Sequence, residues 1–518
     1  MSRKRSGLRK CMVVVGVLAL VLPLLLVWAT PVSAATRCVN TGGTGGCFGS
    51  IQAAVNAAGD GDVIEVYPGT YDESVNLSAM DPDGDLTLVT VNNAGTPTPG
   101  TVTVDYHGNE PEFYTQFPAL NGDLTIDGFV VHSAYPGIEV EVDGGLGANR
   151  NVVIRNVTAT ETEDDGIQVS ADGNVTISNC LASDNDHSGI HVAGAGGDVV
   201  ITDSTANGNG NYGILVDVPG PASTEMGVAG GVVGGEITIT NCTANDNDED
   251  GFFVAGAATG AVQTANASGG DVAITNCTAS GNGESGFDPV RILGQLTIQN
   301  CIAQDNEEGV DLDEMSMASG VLVNGNIICG NDCGIVNPVS QLNAEGNWWG
   351  CAGGPGADGC DPICQTGSIA VDFAPWISKI SASATVDPAT VGQPTVVSFQ
   401  FYGGPPMVYL GSGPGDLRGP APFTVTTDNG TLNGNGATVQ EFINAANGNL
   451  EVTLVPAREG MATVTVSGPC GLGDLEGATA VLGVVAQAEF VPEPGTVLLL
   501  GSGLMGLAGY AALRLRKR

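Results

Sequence analysis

An all-β fold, a long solenoid followed by a small sandwich, is what this sequence predicts, and three observations predict it. The composition favours short strands and frequent turns, with 78 Gly, only 5% aromatic residues and abundant Val, Ile, Thr and Asn in 518 residues. One phrase recurs: "ITNCTANDNDEDG" starts at Ile239 and "ITNCTASGNGESG" starts at Ile274. From about residue 376 the phrase stops, and runs of strictly alternating apolar residues replace it.

The repeat comes first because it occupies most of the chain. Aligned on an inward-looking aliphatic residue, copies begin at Ile154, Ile177, Ile201, Ile239, Ile274, Ile298 and Val323, separated by 23, 24, 38, 35, 24 and 25 residues. Two positions on stand Asn156, Asn179, Asp203, Asn241, Asn276 and Asn300, and then a small residue, as in Cys180, Ser204, Cys242, Cys277 and Cys301. Eight positions from the start stand Asn185, Asn209, Asn247, Asn282, Asn306 and Asn331, and each copy closes on Gly plus an apolar residue, from Gly166-Ile167 to Gly334-Ile335. A period of about 24 residues made of β-formers and turns cannot bury its own apolar face and must stack on copies of itself. Stacking about 4.8 Å apart turns equivalent residues into ladders, in which each Asn amide donates to the next and Asn suits a left-handed corner. The long spacings hold "PGPASTEMGVAGG" and "GAATGAVQTANASGG", expected as loops extruded from the stack.

These copies resemble the right-handed parallel β-helix of pectate-lyase-like proteins, over roughly residues 48 to 365. The segment "SIQAAVNAAGDGDVIEVYPGTYDESV" is similar to the start of that family, where a short helix caps the first coil. Here Ser50 is the expected N-cap, with Ile51, Val55 and Ala58 on one face. The resulting organisation is a signal peptide over 1–35, the β-helix over 36–375, the sandwich over 376–488 and a sorting segment over 489–518.

Both ends carry addresses. Arg3, Lys4, Arg5, Arg9 and Lys10 precede the apolar run Met12 to Ala29, and Val32-Ser33-Ala34 offers a small-residue cleavage site; an uncleaved anchor is the other reading of the run. At the far end Val491-Pro492-Glu493-Pro494 precedes an apolar stretch from Gly495 to Leu513 and then Arg514, Arg516, Lys517 and Arg518. The stretch is long enough to span a bilayer with its basic end cytoplasmic. This tail resembles the PEP-CTERM sorting signal, which implies an exosortase-type processing partner, a membrane contact through the C-terminal helix and export to the cell envelope or beyond. A plain single-span anchor is the other reading.

Charge narrows the partners. The net charge is -40, and nine of the 16 basic residues lie in the two terminal clusters. Such a body repels nucleic acid. The 13 cysteines suit an oxidising compartment: Cys38 and Cys47 bracket a Gly-rich loop and are expected to pair, while Cys329, Cys333, Cys351, Cys360 and Cys364 can staple the last coils, with Cys470 paired elsewhere. Trp348 and Trp349 admit two readings, a sugar-stacking pair or a cap on the core, and the second is favoured. "DPDGDLTLVTVN", from Asp81, begins like a calcium loop but lacks the sixth-place Gly and twelfth-place Glu, so a hairpin turn is expected. In the sandwich Val397, Phe399 and Phe401 alternate, as do Leu450, Val452 and Leu454; the segment resembles bacterial Ig-like domains of invasin type, which act as spacers or adhesive units.

Chemistry, if present, lies among the acids before the closing glycines, from Glu161 to Glu308. Stacking gathers them along one corner, where they form a solvated edge or bind Ca²⁺, with Asp246, Asp248 and Asp250 as the candidate ligands. A polysaccharide lyase or glycoside hydrolase would use paired carboxylates, for which Asp164, Asp165 and Asp186 are candidates, with Arg291 holding an acidic sugar and His187 or His191 moving a proton. No full set of polygalacturonase-type motifs is present, and the coils hold only Arg150, Arg155 and Arg291 as basic residues. The leading expectation is therefore a non-catalytic exported surface protein that binds or organises extracellular polysaccharide. An enzyme of the kinds above stands second, and a periplasmic metal-handling β-helix third.

Overall fold

A computed structural model describes residues 34–79, 84–106, 111–114, 122–132, 135–142, 150–217, 235–255, 270–313, 315, 320–337, 342–365, 371–404, 408–409, 423–441, 449–475 and 477–486. The solenoid is three parallel sheets wound around one core. The first sheet has 13 strands, from Thr36–Val39 to Val371–Asp372. The second has 11, from Val75–Asn76 to Ile363–Gln365, and the third runs as five strands and then four, bridged through Thr205. Every aligned copy of the repeat falls into register: Ile154, Ile177, Ile201, Ile239, Ile274, Ile298 and Val323 are successive partners in the first sheet. The two long spacings fall mostly in residues 218–234 and 256–269, and the extruded loops expected there lie outside the described residues.

Two corners of each coil turn through left-handed residues. One holds Asn156, Asn179, Asp203, Asn241, Asn276 and Asn300, with φ between 51° and 60°. The other holds Glu161, Asp184, Asp246 and Asp305, with Gly208, Gly281 and Gly330 at the same place in other coils. Short polar residues and Gly tolerate this conformation where others do not. The expectation that the ladder asparagines themselves take it is corrected: each follows the left-handed residue and lies buried, with Asn185, Asn209 and Asn247 at most 2% exposed.

That burial is made tolerable by a continuous chain of amides. Asn185 donates its backbone N–H and its Nδ2 to Asn209 Oδ1 at 3.1 and 3.0 Å, Asn209 does the same to Asn247, and the pattern continues through Asn282, Asn306 and Asn331. Thr162 heads the row, donating to Asn185 Oδ1. Asp361 ends it: its Oδ2 accepts from Asn331 N and Nδ2, and its Oδ1 from Gly330 N. The end of a row of amides needs acceptors, which the two carboxyl oxygens of Asp361 supply. The closing glycines have a different reason from the corner ones. A Cβ on Gly213 would sit 2.6 Å from Ala244 Cβ and 2.7 Å from Asn247 Nδ2, so the next coil already fills that space.

The N-terminal end is closed by the helix Ile51–Val55, capped as expected by Ser50 Oγ accepting from Ala53 N. Glu73 adds a second cap, its carboxylate accepting from Ile51 N and Gln52 N at 2.6 and 2.9 Å. Leu86–Thr90 is a strand of the first parallel sheet rather than one arm of a hairpin, because Leu86 and Leu88 pair with both neighbouring coils; Asp81 to Asp83 lie outside the described residues.

Beyond the solenoid, two five-stranded sheets pack as a sandwich whose core holds Phe399, Val425, Leu450 and Val464. Its core is continuous with the last coils through Ile302, Ile327 and Trp348. The Trp pair is therefore not an exposed sugar platform. Trp349 is fully buried in the solenoid core, while Trp348, 2% exposed, faces the sandwich and donates Nε1–H to Cys470 O at 3.2 Å. Cysteine pairing is Cys38–Cys47 as expected and Cys333–Cys364 and Cys351–Cys360 within the last coils; the expectation that Cys470 pairs elsewhere is corrected, because it bonds Cys329 and joins solenoid to sandwich. Cys180, Cys242, Cys277 and Cys301 stay as buried thiols, and burial raises the first to about 12. The signal peptide falls outside the described residues except for its last two positions, and the helix expected over 489–518 lies wholly outside them; among the described residues no helix is long and apolar enough to cross a membrane.

Candidate functional site

The acids gather where the third sheet turns into the second. In the coils from Thr162 to Asn282 the ladder residue is followed by three residues and then the closing Gly, after Asn306 and Asn331 by two, and backbone hydrogen bonds stack these residues upon their counterparts. The ladder fixes the peptide's direction, so the three positions differ in exposure. The first faces solvent, as in Asp186, Asp248 and Glu307. The third turns inward, leaving Asp165 6% and Asp250 3% exposed.

Within this corner two clusters form. In the first, Asp164, Asp165 and His187 bring their ligand-type atoms within 4.8 Å of one another. His187 Nδ1 lies 2.5 Å from Asp164 Oδ1, and His191 Nδ1 lies 2.8 Å from Asp165 Oδ2. Asp165 Oδ1 accepts from Ser188 N at 2.8 Å. Asp186 stands on the exposed side of the same turn.

The second cluster lies further along the stack. Asp250 occupies the place of Asp165 two coils on from His187, and its Oδ1 accepts from Ser285 N at 2.7 Å. Burial, with Glu284 and Glu249 adding negative charge, pushes its carboxyl up to about 7. Burial likewise raises Glu308, helped by Glu307, Asp311 and Glu284. Tyr212 interacts with Glu249, and its ring sits 5.2 Å from that of Phe253 on the outer face of the second sheet.

Other expected site residues do not converge. Arg291 follows strand Ser285–Val290 of the second sheet, four strands on from the strand that follows Asp165, or about 19 Å along the axis, so it does not complete a site with Asp164, Asp165 and Asp186. Asp246, Asp248 and Asp250 point in different directions, at a left-handed corner, into solvent and into the core; among the described residues the one group of three ligand-type side chains is the His187 cluster. Val491, Pro492, Glu493 and Pro494 lie outside the described residues. Sequence reasoning missed Tyr212 and Phe253, which register alone discloses: Tyr212 occupies a pre-glycine place held in the other coils by Asp, Ser, Glu or Cys, and Phe253 follows the inward Phe252.

Comparison with known proteins agrees with this architecture. Residues 119–269 and 223–348 match the family model described as right handed beta helix region, and residues 490–517 match the PEP-CTERM protein-sorting motif. These matches support a right-handed β-helix for the solenoid and a sorting signal at the tail, and that signal implies exosortase processing and export to the cell envelope or surface. No curated protein matches it. Among solved structures, pectate lyase Pel9A is 17% identical, with 66% of this chain and 79% of that chain covered and a TM-score of 0.28. The tailspike protein gp49 from Acinetobacter baumannii bacteriophage Fri1, a capsular polysaccharide depolymerase, is 10% identical, with 86% of each chain covered and a TM-score of 0.27.

Proposed function

We propose that this exported β-helix binds extracellular polysaccharide along the outer face of its second sheet, without cleaving it, and that the Ig-like sandwich serves as a spacer on the envelope side. The observation that carries the reading is the Tyr212–Phe253 ring pair beside Glu249. Aromatic faces take the apolar face of a sugar while neighbouring carboxylates accept from its hydroxyls. With a net charge of -40 the body favours neutral polymers, and an acidic polymer would require bridging Ca²⁺.

A second reading has its own observation. Asp250, its carboxyl pushed up to about 7 by burial, is flanked by Glu249 and Glu284, and a carboxyl raised toward neutrality among other carboxylates is what the acid of a glycoside hydrolase requires. Incubating the exported body with neutral and acidic polysaccharides, and reading co-sedimentation and new reducing ends in the same tubes, separates the two. Co-sedimentation without new ends, weakened at least tenfold by Tyr212→Ala with Phe253→Ala, is expected. New ends that vanish in Asp250→Asn would replace binding by catalysis.

A further inference from the structure

We propose that Asp164, Asp165 and His187 form a binding site for a divalent transition-metal ion of the zinc class. The site borders the outer face of the second sheet, where His191 stands two strands from Phe253, and it does not rest on the polysaccharide reading. It is more than part of an acidic edge, because two of the chain's four histidines meet its aspartates here, one coil beyond them. The stack does not demand them: the place of His187 is taken by Asn211 and Glu249 in later coils, and that of His191 by Leu215 and Phe253.

The donor set selects the metal. One imidazole with two carboxylates suits zinc and its neighbours in the first transition row, whereas Ca²⁺ takes six to eight oxygens. The three donor atoms, within 4.8 Å of one another, need only a small rotamer adjustment to the separation of about 3.3 Å set by zinc bonds of about 2.0–2.2 Å. Asp165 is held for the task, with one oxygen on Ser188 N and the other on His191, the kind of outer partner that fixes a ligand's orientation. His187 is 55% and Asp164 22% exposed, so a fourth position opens to solvent for water or an exchangeable ligand.

Titration calorimetry of the exported body with Zn²⁺, alongside visible absorption on adding Co²⁺, tests this. One ion per chain is expected, with bands of Co²⁺ in a nitrogen and oxygen site, and millimolar Ca²⁺ should not displace it. His187→Ala and Asp164→Asn, each on an exposed turn, should each weaken zinc at least tenfold with unchanged melting temperature, while His132→Ala and Asp248→Asn should leave it alone. Zinc binding that survives both site variants, equal competition by Ca²⁺, or no zinc binding by the wild-type chain would overturn the assignment.

Discussion

Asn247 shows how much a single side chain carries in this fold. Its Oδ1 accepts two hydrogen bonds from Asn209, and its Nδ2 and backbone N–H both donate to Asn282. Asn247→Ala strands the buried Asn209 donors in one coil and removes one of the two donors to Asn282 Oδ1 in the next, and a cost of about 3 kcal/mol is expected in denaturant unfolding. Asn247→Asp should be nearly as damaging, since it sets an oxygen against Asn282 Oδ1; the same carboxylate is at home only at the end of the row, where Asp361 stands. Asp250 makes stability depend on pH. Its folded value, about 7, lies above the ordinary 3.8, so the stability linked to its proton is fully present below about pH 4 and is lost as pH rises through 7. Asp250→Asn, which keeps an acceptor for Ser285 N, should therefore melt close to wild type at pH 4 and above it at pH 8, by on the order of 2–4 kcal/mol. Equal profiles for the two proteins would remove Asp250 from this role.

At the scale of the coil, the closing glycine is the tightest point. Gly213→Ala forces a methyl against Ala244, Asn247 and the carbonyl of Gly251, and a loss of about 1–3 kcal/mol is expected in thermal or denaturant melts. The coil was also the most legible unit in the sequence. A period of 24 with Ile, Asn and Gly at fixed offsets is a direct image of the stack, and all seven aligned starting residues became register partners. Less legible was what depends on neighbouring coils more than on the phrase. The cap from Glu73 reaches across 22 residues, and the terminal acceptor Asp361 sits outside any copy of the repeat. The candidate site divided the same way: Asp164 and Asp165 meet His187 because equivalent turns of adjacent coils stack, whereas Arg291 stands at another corner. Acidic runs announce the edge; which carboxylate turns inward is decided by the fold of the turn.

For the whole molecule, the joint between solenoid and sandwich matters most. Cys329–Cys470 closes across 141 residues, beside the Trp348 hydrogen bond to the same Cys470. Cys470→Ser paired with Cys329→Ser should lower the melting temperature and let limited proteolysis separate the sandwich from the solenoid under conditions where the wild-type chain stays whole. Co-melting and equal protease resistance would place the coupling in the shared apolar core instead.

The amide row has a direction and two different ends, Thr162 at one and Asp361 at the other, with interchangeable members between. Gene duplication can therefore lengthen this molecule from its middle, one coil at a time, without disturbing either terminus. Each added coil moves the far end by about 4.8 Å, and the 13 strands already present span about 58 Å. The solenoid is thus a ruler graduated in coils, and a lineage can adjust the reach of a surface protein by copying 24 residues.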